Sequence, residues 1–266
     1  MTTERGTTAE RSVVRVLRTT SPFLRLASVV LRGVFGATAR IRYEGPASLP
    51  QEGPLLLVAN HTSNIDPPLV AAWLQPRLGR PIQFLAKEQL FVPLLLPLLE
   101  HAGAILVRAG GSDVQAYHDA LVVLRGGGIV GLFPEGTRSS DGRLGQPHAG
   151  VGLLAIRAGV PILPVGISGA QRFLPRNGRL PAIGTRITIR VGEPFTVGGA
   201  GEGSGPSPVA DAARAGTAAT SGARPRRQLA EAATTEIMTR LAALLDPGQR
   251  GAWGGTSGPG ATHVRT

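Results

Sequence analysis

His61 and Asp66 stand five positions apart in the run Asn60-His61-Thr62-Ser63-Asn64-Ile65-Asp66-Pro67, directly after the apolar stretch Leu55–Ala59. That much chain lets a carboxylate fold back onto an imidazole. The carboxylate would fix the ring tautomer and stabilise the imidazolium, leaving the other ring nitrogen as a general base. A base of this kind suits a hydroxyl that must lose its proton to attack an acyl carbon. On spacing alone the commoner arrangement is an unremarkable histidine beside an aspartate that caps the next helix.

Three further segments carry chemistry-bearing residues. In Phe133-Pro134-Glu135-Gly136-Thr137-Arg138-Ser139 a glycine allows close backbone approach, and Arg138 offers a planar fork suited to phosphate. Glu135 could orient Arg138 or a substrate hydroxyl; the plainer alternative is a turn with a surface ion pair. Gly103-Ala104-Ile105-Leu106-Val107-Arg108 is an apolar strand ending in one arginine, and Lys87 ends another at Leu85-Ala86-Lys87-Glu88. Both cations also read simply as solvated strand ends. Val160-Pro161-Ile162-Leu163-Pro164-Val165 is apolar but holds two prolines, which predicts a sheet edge or groove wall, or ordinary core. No Gly-x-Ser-x-Gly elbow, no Gly-x4-Gly-Lys phosphate loop and no metal-ligand spacing occurs.

The elements that must position these residues alternate. Apolar runs at 55–59, 82–86, 104–107, 129–133 and 162–167 predict strands, and 186–191 alternates as a half-exposed edge strand would. Helices are expected at 68–74, 114–125 and 151–158, the second stopped by Gly126-Gly127-Gly128. Alternation of this kind predicts an α/β fold with a largely parallel sheet flanked by helices. Residues 1–20 read as a flexible leader and 21–197 as the main domain. Then come a Gly/Ala/Ser-rich linker at 198–227, a helix at 228–246 and a disordered Gly-rich tail at 247–266.

Ser21-Pro22 opens an N-terminal amphipathic helix in which Arg25 and Arg32, seven apart, share one face. It reads either as an interfacial helix with arginines at lipid headgroups or as a helix packed on its own core. The chain has 28 Lys and Arg against 17 Asp and Glu, net +11, which suits anionic membrane surfaces, phosphorylated substrates or nucleic acid. Aromatics at 4% and the lack of any recognition module argue against nucleic acid. Cysteine is absent, which excludes disulfides and cysteine metal sites. No apolar run reaches the length of a spanning helix, and no secretory signal is expected.

In order and character the four segments resemble the glycerophospholipid acyltransferase family, which includes bacterial lysophosphatidate acyltransferases. The shared features are Asn-His-x4-Asp, a Gly-x4-Arg strand, Phe-Pro-Glu-Gly-Thr-Arg-Ser and Val-Pro-Ile-x-Pro, spanning residues 55–194. The resemblance implies His61 as general base and Asp66 as its partner. It assigns Arg108, Glu135, Gly136, Thr137 and Arg138 to the phosphorylated acceptor, with Lys87 adding charge. It further implies an acyl-coenzyme A or acyl-carrier-protein donor, a lysolipid acceptor such as 1-acyl-glycerol 3-phosphate, no metal or cofactor, and peripheral or monotopic attachment to the cytoplasmic face of the cell membrane. Phe91, Leu94, Leu95 and Leu96 would line an acyl groove. Another lysophospholipid or glycolipid acceptor, or a non-catalytic lipid-binding role, stays open, as does the oligomeric state.

Overall fold

The computed structural model describes residues 14–46, 48–93, 95–108, 114–148, 150–178, 180–197 and 223–254. Seven strands form one sheet in the order β1-β7-β6-β2-β5-β3-β4, where β1 is Ala39–Glu44, β2 Leu55–Ala59, β3 Ile82–Lys87, β4 Ile105–Val107, β5 Ile129–Leu132, β6 Ile162–Ser168 and β7 Thr185–Val191. Strands β6, β2, β5, β3 and β4 run parallel, while β7 is antiparallel to β6 and carries β1 alongside it. The carboxyl ends of five neighbouring strands therefore share one edge, where open α/β sheets build their sites.

Helices cover both faces, and alternate residues of β2 show why its five-residue run is wholly apolar. Leu56 and Val58 point into a core with α4 (Val114–Arg125), α5 (Gly150–Ala158) and α7 (Ala223–Ala243). Leu55, Leu57 and Ala59 point into the other core, with α1 (Pro22–Thr38), α2 (Asp66–Leu78) and the short α6 (Ala170–Phe173). A strand buried on both sides has no polar face to show. Helix α7 docks on α5 through a glycine: the Gly152 N–H donates to Thr234 Oγ1 (3.2 Å), and a Cβ at Gly152 would collide with the Ala230 carbonyl.

Several expectations need correction. The stretch 186–191 is not an edge strand, because β1, with its alternating Arg-Ile-Arg-Tyr-Glu, pairs along its outer side. The proline strand is central, between β2 and β7. Pro164 is tolerated because the ladder to β7 begins one residue later at Val165, and only its carbonyl is engaged, by the Gly192 N–H (3.0 Å). The leader is held over its last residues: the buried Gln83 amide accepts from the Leu17 N–H (2.9 Å) and donates to the Arg15 carbonyl (2.8 Å). The tail is ordered through Trp253, with two 3-10 turns at Pro247–Gln249 and Gly251–Trp253. Helix α7 starts inside the expected linker. Residues 1–13, 198–222 and 255–266, the rest of those expected flexible segments, lie outside the described residues.

Helix α1 proves to have two apolar faces. Ser21 Oγ caps it by accepting the Leu24 N–H (3.3 Å), with Pro22 at the first position. Leu24, Ser28 and Phe35 are buried, whereas Phe23, Leu26, Val29, Val30 and Val34 on the opposite side are between 42% and 67% exposed. Among the described residues no helix is long and apolar enough to cross a membrane.

Candidate active site

The loop after β2 and the loop after β5 meet because their strands are neighbours. His61 is held through its backbone from both directions: its N–H donates to Glu135 Oε1 (2.8 Å), and its carbonyl accepts the Ser139 N–H (2.8 Å). Its ring stacks on Phe133 at 4.3 Å between centroids, and Phe133 stacks in turn on Phe84 at 5.8 Å. These contacts leave the imidazole one usable orientation.

In that orientation His61 Nδ1 lies 3.0 Å from Asp66 Oδ2. Asp66 is fully buried, and the same oxygen accepts the N–H groups of Thr62 and Ser63 at 2.7 Å each. An oxygen that gathers two N–H donors acts as an acceptor, so the imidazole proton belongs on Nδ1 and the lone pair on Nε2. The helix-cap alternative is thereby resolved: the carboxylate turns back onto the loop before α2. Its other oxygen, Oδ1, is buried with no hydrogen-bond partner among the described residues. The His61 side chain keeps 18% of its surface open to solvent.

Glu135 has partners that its place in the sequence does not suggest. Both of its oxygens take backbone donors, His61 N–H on Oε1 and Gly145 N–H (3.0 Å) on Oε2, while the residue also lines the cleft that holds Arg138. Burial pushes its carboxyl above the usual range, opposed by those two N–H bonds. Glu135 is therefore a clamp that ties His61 to the segment around Gly145. Gly136 follows at φ 62°, with its hydrogen toward the His148 ring where any Cβ would clash.

Arg138 and Arg176, 38 residues apart, exchange hydrogen bonds: each Nη1 donates to the other's carbonyl (2.8 and 3.0 Å). With Thr137, Ser139 and Arg143 they line a cleft of about 420 Å³ that Gly251 and Ala252 close from the C-terminal side. Among the described residues the one carboxylate in its wall besides the engaged Glu135 is Asp141, held below its usual range by the Arg143 N–H and the Ser139 hydroxyl. Three arginines against one engaged carboxylate give the cleft an excess of positive charge, which suits an anion. His61 is not in its wall, although the Ser139 N–H joins the two.

Lys87 and Arg108 are brought together at adjacent strand ends, with Lys87 in register with Val107, and both are exposed. They stand two and three strands from β2, roughly 10 and 14 Å along the edge. Leu95 and Leu96 follow Lys87 in a stretch that includes α3 (Leu96–His101), none of whose residues is buried; Leu94 lies outside the described residues.

Some supporting residues were not foreseen as such. Asn60 clips β2 to β6, donating to the Ile167 carbonyl (3.0 Å) and accepting its N–H (2.7 Å). Ser63 Oγ donates to the Leu174 carbonyl (2.7 Å). The C-terminal turns strap the 142–145 loop: Leu144 N–H to the Gln249 carbonyl (2.7 Å) and Trp253 Nε1–H to the Gly145 carbonyl (3.2 Å). Asn60 and Ser63 flank His61 and were within reach of sequence reasoning. Arg176, Gln249 and Trp253 carry no local signal.

The acyltransferase family model matches residues 40–168. A chloroplastic 1-acyl-sn-glycerol-3-phosphate acyltransferase of Arabidopsis thaliana is 31% identical over 140 residues, 51% of this chain and 38% of that protein. The lyso-ornithine lipid O-acyltransferase of Pseudomonas aeruginosa is 34% identical over 49% of each chain. A 1-acyl-sn-glycerol-3-phosphate acyltransferase of the same organism is 29% identical over 65% of each. The aligned stretch thus spans from about two fifths to two thirds of these relatives. The crystal structure of the 1-acyl-sn-glycerophosphate acyltransferase of Thermotoga maritima shares the fold, with a TM-score of 0.57 and 24% identity over 80% of this chain and 78% of that one.

Proposed function

We propose that this chain, whose residues 40–168 match the acyltransferase family model, moves a fatty acyl group from a thioester to the free hydroxyl of 1-acyl-glycerol 3-phosphate, forming phosphatidate. The observation that carries the reading is the His61–Asp66 pair, with Nδ1 committed to a buried carboxylate and the His61 backbone held on both sides. Nε2 takes the hydroxyl proton as the oxygen attacks the thioester carbonyl. The tetrahedral intermediate then collapses, the carbon–sulfur bond breaks, and Nε2 returns the proton to the departing thiolate. No acyl-enzyme is formed. Acyl-coenzyme A and acyl-carrier protein both satisfy this chemistry.

In this reading the acceptor phosphate occupies the cleft of Arg138, Arg143 and Arg176, beside Gly136 and Thr137. Lys87 and Arg108 extend the positive field along the same edge. Fixing the phosphate holds the hydroxyl within reach of Nε2, an orientation effect that can supply several kcal/mol, about 7–11 at its upper limit. The exposed apolar face of α1 and the net charge of +11 suit attachment to an anionic cytoplasmic leaflet. Similarity to a lyso-ornithine lipid acyltransferase favours a second acceptor class. Ornithine would bring an amine to a cleft built of arginines, so the phosphorylated acceptor is the better fit.

Release of free thiol from oleoyl-coenzyme A, with lysophosphatidate or a lyso-ornithine lipid as acceptor, tests this directly. Wild type should turn over with lysophosphatidate and His61→Ala should not. Equal turnover by the variant would sink the mechanism, and activity confined to the ornithine lipid would replace the acceptor.

A further inference from the structure

The site edge carries a second apolar surface that neither the core nor the proposed chemistry uses. Between α6 and β7, Leu180 and Ile183 are 83% and 77% exposed, the most exposed large apolar side chains among the described residues. Single exposed leucines are ordinary. These two stand three positions apart on a loop that is itself held in place. The Ala182 N–H donates to the Phe173 carbonyl (2.7 Å), Thr185 Oγ1 to the Ala182 carbonyl (2.6 Å), and the Gly184 N–H to the Thr38 carbonyl (2.7 Å). The last bond joins the loop to the end of α1, one turn beyond the exposed Val34. The apolar strip Leu26–Val30–Val34 is therefore continued, across the helix end, by this loop.

The charge along this stretch of chain is of one sign. No Asp or Glu occurs from Gly169 to Gly192, and Arg172, Arg176 and Arg186 are exposed. Arg186 also lies directly beside Arg40 in the register of β7 and β1, with both exposed. Like charges placed opposite one another destabilise a sheet unless an anion lies between them. Two bare apolar side chains beside unneutralised guanidinium groups describe the underside of a protein resting on anionic lipid.

We infer that the segment 180–184 is a membrane-docking lip, separate from α1, which lowers Leu180 and Ile183 into the interface of an anionic bilayer. Arg40 and Arg186 take headgroup phosphates there. Arg176, in the same connection between α6 and β7, faces Arg138 across the arginine cleft, so docking brings the cleft to the level where a lysolipid headgroup lies. That consequence rests on the proposed acceptor; the docking itself does not.

The test reads binding without turnover. The full chain is sedimented with vesicles of phosphatidylcholine alone or mixed with phosphatidylglycerol. Leu180→Ser/Ile183→Ser should lower partition into the mixed vesicles by at least about tenfold, from the transfer of roughly half of each side chain out of water. Arg40→Gln/Arg186→Gln should reduce the preference for phosphatidylglycerol by about fivefold per arginine. In a Leu180→Trp variant, brominated lipid should quench the fluorescence added over that of Trp73 and Trp253. Wild-type partition by the Ser pair, or added fluorescence insensitive to brominated lipid, would overturn the lip, including in favour of a protein partner. Either result leaves the acyl-transfer reading to its own assay.

Discussion

Replacing Asp66 by Asn probes the dyad at its central atom. Asp66 Oδ2 accepts from Thr62 and Ser63 N–H at 2.7 Å and lies 3.0 Å from His61 Nδ1, while Oδ1 is buried without a partner among the described residues. Asparagine can set its carbonyl oxygen where Oδ2 stands, so all three donors keep an acceptor and the loop should hold its shape. Its NH2 then fills the partnerless position, and a buried unsatisfied donor costs about 1–3 kcal/mol. The expected protein is folded but less stable by that amount, measured by urea unfolding. Catalysis should suffer more. The carboxylate is the charge that stabilises the imidazolium formed as the hydroxyl gives up its proton, and at 3.0 Å the attraction is roughly 5 kcal/mol for an effective dielectric near 20. Since positioned general bases contribute about 10²–10⁴ in rate, thiol release should fall by that factor. The acceptor KM should stay near wild type, because Asp66 lines no part of the arginine cleft. A folded Asp66→Asn protein working at more than about a tenth of the wild-type rate would refute the base-and-carboxylate reasoning.

Glu135→Gln tests the clamp through pH. Burial raises the Glu135 carboxyl, so the folded chain takes up this proton at a higher pH than the unfolded chain. The resulting stability is fully present below the ordinary carboxyl value of about 4.3 and is lost as pH rises through the raised one. Stability of wild type relative to Glu135→Gln should therefore increase as pH falls through that window, and parallel pH profiles of the unfolding midpoint would contradict the assignment. Arg176→Ala should raise the acceptor KM about tenfold or more with kcat little changed, as expected for lost charge-assisted binding; a rise confined to the thioester KM would give the cleft to the donor. Trp253→Phe keeps most of the packing but removes the N–H on the Gly145 carbonyl. It should cost about 0.5–1.5 kcal/mol of stability, and an unchanged melting temperature would show that the strap is slack.

What could be read along the chain was what the chain encodes locally. The pair His61 and Asp66 was legible as a candidate because its members are five residues apart in one loop; the contacts from the β5 side then fix the imidazole that faces the carboxylate. Helix α1 was legible as amphipathic, but its two readings could not be separated, since periodicity reports an apolar face and not what covers it. One face is buried, as packing on the core requires, and the other is open. Strand β1 was missed although Ile41 and Tyr43 alternate with Arg40, Arg42 and Glu44. Its partner β7 is more than 140 residues away, so nothing nearby announced the pairing. The leader and tail were misread for a related reason: Gln83 and the Gly145 carbonyl, which capture them, lie far off in sequence.

Glu135 marks the boundary most clearly. Its place after an apolar strand and before Gly136 and Arg138 follows from residue order, and that order suggested a carboxylate free for arginine or substrate. Its role depends instead on β5 lying beside β2, which brings the His61 N–H, 74 residues away, to one oxygen, and on the C-terminal turns that hold Gly145 at the other. Sequence by itself determined the alternation of strands and helices, the short loop shared by His61 and Asp66, and the surplus of positive charge, since these rest on short-range periodicity, loop length and composition. Only the tertiary structure decided which arginines share a cleft and which donors meet Glu135. Strand order and register are set by burying both faces of the sheet at once, and no local stretch of chain carries that condition.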